Sequence, residues 1–330
     1  MGASTYGYLG IGVEATPGTS VAPTKFIPVK SVNFNIDQED ITFREIAGSR
    51  QAQQSFGGSI RPSVSLTSAL YPSAAFGVLL RGLLGSVTTA PSGASTTAFE
   101  HTFGDAAVLP SLSFERSDSA TAGAGLLHQR IPGCKIESIS FSAEFGSDVE
   151  ISVEAQGLTF PEEPASKPAP GSILLPAMAP FIFTDVSIDI NGAPSDLFKS
   201  INFDFTNALE PQEALRRTRN AYKIHEGALE CSLSGTMIYE DNSIYNRFRD
   251  ATSFSVTARF ESEMADEDTN TRYAIEFTWP KVKVQNFDVP MEAEGVMEAD
   301  VEFAVSYDKS TGRFVEIKLI NLDPEGTYSV

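Results

Sequence analysis

Few residues in this chain are placed to do chemistry. Asp266-Glu267-Asp268-Thr269-Asn270 gathers the oxygen ligands that calcium takes. It lacks the loop glycine and the closing glutamate of an EF-hand, so it reads as a solvated acidic hairpin. His101, His128 and His225 stand in unrelated contexts, and none has a second ligand at metal spacing. They read as surface or interface residues. No G-x-S-x-G elbow and no Walker A loop is present, and Gly7-Tyr8-Leu9-Gly10-Ile11-Gly12 has neither the spacing nor the strand-then-helix setting of a dinucleotide fingerprint. No enzyme, cofactor or metal is expected. Cys134 and Cys231 do not make a disulfide framework and point to a reducing compartment.

What does recur is charge. Glu150 and Glu154 lie on the polar face of one strand-like run, and Glu298, Asp300 and Glu302 on that of another. Two long polar segments carry Arg44, Glu45, Arg50 and Gln51, and Arg216, Arg217, Arg219 and Asn220. Acidic residues outnumber basic ones 43 to 24, and the excess is shared: net −7 over residues 1–164 and −12 over 165–330. Such a surface repels a phosphate backbone, which argues against a duplex-DNA-binding protein. A hydrophobic content of 42% excludes wholesale disorder. No apolar run is long enough to span a bilayer, and no secretory signal is read at residues 1–6.

The elements that must carry these charges are written twice. Val29-Lys30-Ser31-Val32-Asn33-Phe34-Asn35-Ile36 returns as Phe198-Lys199-Ser200-Ile201-Asn202-Phe203-Asp204-Phe205, and a shift of 169 positions holds the register to about residue 82. Val32, Phe34 and Ile36 alternate with polar residues, as in a half-buried strand. A polar stretch, 37–57 in one copy and 206–226 in the other, is far longer than a hairpin turn needs and reads as a working loop. A second strand follows (Ile60, Val64, Leu66), then a helix over Pro72–Gly85, matched by Asn242–Ala251. Residues 86–98 read as a loop, and Ser111–Glu115 as a strand. Ile139–Val153 reads as a hairpin turning at Gly146-Ser147-Asp148, and Val301, Phe303 and Val305 repeat its last strand. The expected architecture is mostly β: two tandem antiparallel β-sandwich or half-barrel domains, each with a short flanking α-helix. Residues 1–28 read as an extended arm, 29–160 as the first domain, 161–180 as a proline-rich linker, 181–308 as the second domain and 309–330 as a C-terminal extension with one strand-like run, Phe314–Leu319.

Gly10-Ile11-Gly12-Val13-Glu14-Ala15-Thr16-Pro17-Gly18-Thr19, followed by Phe26-Ile27-Pro28-Val29, resembles the opening of tail tube proteins of long-tailed, non-contractile bacteriophages. The order of long loop, Gly57-Gly58 strand entry, helix ending at Gly85 and Ile131-Pro132-Gly133-Cys134-Lys135-Ile136 hairpin is similar too, closest over residues 7–158. The resemblance implies a structural virion protein whose inner sheets close into a barrel, whose rings stack into a tube, and whose long loop reaches the adjacent ring. It implies inter-ring roles for Arg44, Glu45, Arg50, Gln51, Arg216, Arg217, Arg219 and Asn220. Two domains per chain imply trimeric rings with pseudo-sixfold symmetry, hexameric rings being the alternative. The implied partners are tape-measure, tail-tip and tail-terminator proteins, with double-stranded DNA passing through the lumen unbound. The implied location is the virion tail, after assembly in the host cytoplasm. Glu150, Glu154, Glu298, Asp300 and Glu302 would then face the lumen. A surface adhesion module, or the tube of a contractile tail or secretion machine, stays open as another reading.

Overall fold

The computed structural model describes residues 7–44, 54–119, 127–168, 172–291 and 296–328. The chain is 56% strand and 7% helix. In order it forms β1 (Tyr8–Glu14), β2 (Lys25–Ile27), β3 (Ser31–Phe43), β4 (Gln54–Ala69), α1 (Ala74–Leu84), β5 (Gly85–Pro91), β6 (Phe99–Asp105), β7 (Ser111–Ser117), β8 (His128–Glu144) and β9 (Glu150–Gln156). There follow β10 (Val186–Ile190), β11 (Ala193–Pro194), β12 (Phe198–Asn207), β13 (Glu210–Gln212), β14 (Lys223–His225), β15 (Leu229–Ile238), α2 (Ser243–Arg249), β16 (Phe254–Asp266), β17 (Thr271–Asp288), β18 (Glu298–Val305) and β19 (Glu316–Asn321).

Eight strands make one antiparallel layer in the order β3-β4-β9-β8-β12-β15-β18-β17. Behind it lie two smaller layers, β2-β1-β7-β8 and β11-β10-β16-β17-β19-β6-β5. The long strands β8 and β17, of 17 and 18 residues, each belong to the eight-stranded layer and to one of the smaller ones. The first part of β8 pairs with β7 up to Cys134, and its later part pairs with β9 and β12. Likewise β17 pairs with β19 before Pro280 and with β16 as far as Val282, and from Val282 onward it pairs with β18.

The period-2 alternation read in the sequence decides which side chains fill the space between layers. Phe34, Leu66, Phe141, Val153, Phe203, Leu233 and Phe303 point inward from the eight-stranded layer and are buried. They meet Phe260, Phe277 and Trp279 from behind. Phe203 stacks on Phe141 at 4.7 Å between ring centres, with Phe277 at 4.8 Å and Trp279 at 5.0 Å. Helix α1 is wedged into this core. The hydroxyl of Ser73 caps it by accepting from the Phe76 N–H, and nine of its residues are buried. In α2 only Ile244 is buried.

Three readings of the sequence change. Residues 8–14 and 25–27 are not an arm but strands of the first small layer, with six of the seven residues of β1 buried. Gly10 makes this possible: a Cβ there would lie 2.5 Å from the Pro23 ring, so its absence lets residues 21–24 fold over β1. Of the long segment 37–57, residues 37–43 and 54–57 are strand, because β3 runs on to Phe43 and β4 starts at Gln54, alternating Ile41, Phe43 and Phe56 with polar residues. Residues 86–98, read as a loop, begin with strand β5, which pairs along its whole length with β6. The C-terminal strand-like run is present as β19, shifted two residues on.

Candidate assembly surfaces

Pleating sends every second side chain of the eight-stranded layer outward, and the registers align them in rows. One row reads Glu150, Ser142, Asn202, Ser234, Glu302, and the next Ser200, Thr236, Asp300, Asp288. Glu154 stands opposite Ser138, and Glu298 opposite Ile238 at the end of the sheet. All five carboxylates singled out in the sequence therefore share one face. Short hydroxyl and amide side chains fill most of the rest, with Asp204 and Asp288 among them. Ser142 donates to Asn202 at 2.7 Å, Ser232 to Asp204 at 3.0 Å and Thr236 to Asp300 at 2.8 Å.

The carboxylates differ in their partners. Lys30 bridges Asp148 at 2.8 Å and Glu150 at 2.7 Å, and these hydrogen bonds raise its pKa. Lys199 reaches Glu298 at 2.7 Å. Glu154, Asp300 and Glu302 are exposed, with no ion pair among the described residues. Burial, and then the charge of Glu154, raise the pKa of the neighbouring Glu137.

The second surface is the outer half of the β3–β4 hairpin, where both strands are exposed. Ile41, Phe43 and Phe56 stand 53%, 46% and 52% exposed, and the two phenyl rings meet edge-to-face at 5.5 Å. Arg44 lies exposed beyond Phe43, and Glu45, Arg50 and Gln51 lie outside the described residues. Arg216, Arg217, Arg219 and Asn220 sit between β13 and β14. Arg216 donates to the Ala221 carbonyl at 2.7 Å and lies over the Tyr222 ring. Arg219 and Asn220 turn back onto β4, while Arg217 is exposed.

Sequence reasoning missed the buried charges that fix the framework. Glu14 accepts from Ser111 at 2.8 Å, Ser113 at 2.5 Å and the N–H groups of Gly18 and Gly133, both at 2.8 Å. Glu115 is fully buried against Arg130, His128 and Tyr8. Both glutamates sit in runs that read as ordinary strands, and their donors come from distant segments, so no local signal marks them. Lys135 of β8 is buried against Glu226 and donates to the Ile224 carbonyl at 3.2 Å. Burial opposes ionisation of Glu226, but the hydrogen bond and charge of Lys135 hold its carboxyl below the usual range. A carboxyl lowered in the folded state stabilises it above the unfolded pKa and loses that contribution as pH falls through the folded value. Glu226→Gln is expected to cost about 1–3 kcal/mol at pH 7 and less below about pH 4, checked by urea unfolding across that range.

The acidic hairpin at 266–270 is held by its own residues and by Ser95 from a distant segment. Asp266 accepts from Ser95, from the Thr269 hydroxyl at 2.8 Å and from the Asp268 N–H at 3.1 Å, and these bonds, Ser95 first, lower its pKa. Among the described residues no three His, Cys, Asp or Glu side chains converge as metal ligands. No helix among them is long and apolar enough to cross a membrane.

A family model described as "Phage tail tube protein" matches residues 7–305. The chain belongs to the phage tail tube protein family. No curated protein matches it significantly. A tail tube protein is a structural component of the virion tail and assembles with copies of itself into a tube. This family member thus presents two surfaces: a broad sheet with an acidic, hydroxyl-rich face, and a hairpin with exposed aromatic rings.

Proposed function

We propose that three copies of this chain close into a ring by extending the eight-stranded layer, and that stacked rings form a conduit for double-stranded DNA with the acidic face on the lumen. The observation that carries this reading is the pair of open edges of that layer. Among the described residues β3 pairs only with β4, and residues 283–288 of β17 pair only with β18. An open edge is a template for another strand, and joining one edge to the other in the next copy removes both. We take the chain as two tandem domains, 29–160 and 181–308, and this reading is supported by the pairing β8–β12, which joins the strand that ends one repeat's layer to the strand that begins the next. A β17–β3 joint between chains would repeat it. Asn207 at the internal joint donates to the Leu83 carbonyl of α1 at 2.9 Å and to the Ile136 carbonyl at 3.1 Å, so α1 straddles the seam. The corresponding α2 leaves Tyr245 and Phe248 partly exposed beside Phe287, which suits a helix awaiting a neighbouring chain.

Three chains would supply six domains, with threefold symmetry and a sixfold appearance. Negative-stain electron microscopy over a concentration series tests this: hollow tubes or rings of that symmetry are expected, and a monomer at every concentration, with and without a tail-tip initiator, rejects it. Tape-measure, tail-tip and tail-terminator proteins are the assembly partners of this reading, and the host cytoplasm the place of assembly.

An acidic lumen would keep phosphates off the wall. Assembled tubes of a Glu154→Lys, Asp300→Lys, Glu302→Lys variant are expected to retain duplex DNA at low salt and to release it with increasing salt, whereas wild-type tubes retain none. Equal retention by both would place these residues outside the lumen.

A further inference from the structure

The two long polar segments have equal length but unequal design. Under the shift of 169 positions, the exposed Ile41, Phe43 and Phe56 of the first become Glu210, Gln212 and His225 in the second, and Thr42 becomes Pro211. The second segment has thus lost the apolar rings that could be buried against a neighbour and gained a residue with no N–H. Its strands are short in consequence: β12 stops at Asn207, and β13 and β14 form a separate ribbon of three residues each.

The loop between β13 and β14 is spent inside the chain. The Ile60 N–H donates to the Arg219 carbonyl at 3.1 Å, and the Arg219 Nε donates to the Gly58 carbonyl at 2.8 Å. Glu213 pairs with Arg61 at 3.1 Å, and the Asn220 side chain accepts from the Phe160 N–H at 3.3 Å. Gly57 lies under the guanidinium of Arg219, which a Cβ at that position would strike. Backbone groups at the root of the first hairpin are satisfied by the second segment.

We propose that residues 213–222 are a brace and not a second arm: they hold the root of the β3–β4 hairpin, so each chain reaches the next ring with one apolar arm. A ring of three chains then carries three arms. The inference rests on the tube reading for the arm's destination, but the brace belongs to the single chain.

Hydrogen exchange of the full-length protein, free and assembled, tests both parts. In the free subunit Arg219→Ala is expected to speed exchange of the 57–60 amides about tenfold, through local opening, while Arg217→Ala leaves it unchanged. On assembly the outer strands of the hairpin gain protection and residues 213–222 do not, and a Phe43→Ser, Phe56→Ser variant forms rings that fail to stack. Unchanged exchange in Arg219→Ala would overturn the brace. Protection of 213–222 gained on assembly, or loss of stacking in Arg217→Ala, would overturn the single arm. If the wild type forms no tubes, the tube reading fails, while the free-subunit comparison still decides the brace.

Discussion

Phe203→Ala is expected to lower the unfolding free energy by about 3–5 kcal/mol, the usual cost of emptying a large aromatic site. The ring is fully buried, and it is the point where the two layers and both halves of the chain meet. It leaves β12, stacks on Phe141 of β8, and contacts Phe277 and Trp279 of β17. No side chain nearby is placed to fill the space, because each of these rings is itself held by the others. Domains of ordinary size are stable by about 5–15 kcal/mol, so this one change removes a large share. Denaturant titration of the free subunit checks it, with Phe145→Ala as the control. Phe145 is 74% exposed and touches Phe183 at 4.9 Å, and its loss should change stability by about 0.5 kcal/mol or less. A small effect at Phe203 would mean that the two halves do not depend on a common core.

The second expectation concerns the seam between chains. At the internal seam Asp204 of β12 faces Ser140 of β8, which faces Ser152 of β9. Asn35 is the counterpart of Asp204 under the 169-residue shift, and Asp288 faces Asp300 on β18 as Ser140 faces Ser152 on β9. The irregularity between Ile136 and Ser138 recurs between Val284 and Asn286, so the registers correspond on both sides of it. If the seam between chains copies the one within, Asn35 of one subunit faces Asp288 of the next. An Asn35→Cys, Asp288→Cys variant in a Cys231→Ser background is then expected to oxidise to covalent chains ending at three subunits on a non-reducing gel. Asn35→Cys alone should give none. Termination at six would favour hexameric rings, an unbroken ladder would mean an open filament, and the absence of cross-links would reject the seam.

The regular strands were legible because they are amphipathic: Val32, Phe34 and Ile36, or Ile139, Phe141 and Ala143, leave one face to the core in any pairing. The acidic face followed from the same alternation, since residues between buried ones must point outward. What the sequence hid depended on partners far away in the chain. Residues 8–14 look like a glycine-rich arm until Pro23 is seen lying over Gly10, and the run with Glu115 looks like an ordinary strand until Arg130, Tyr8 and His128 surround that carboxylate. Equal length made the two polar segments look alike. Their difference lay in single positions, Thr42 against Pro211 and Phe56 against His225, whose meaning appears only once β3 and β4 are seen to continue where β12 does not.

The β5–β6 hairpin lies in the first half of the chain, yet β6 pairs with β19, near the other end, and β19 with β17. During synthesis that seat for β6 does not exist until residues 316–321 have left the ribosome. At about 5–20 residues per second, the roughly 200 residues between β6 and β19 take about 10–40 s to make. For that interval the flank of β6 is uncovered, and its pairing waits on a strand made long after it. The same crossing means that a protease cut in the proline-rich stretch would leave one particle, since the two fragments share a sheet on each side of the core.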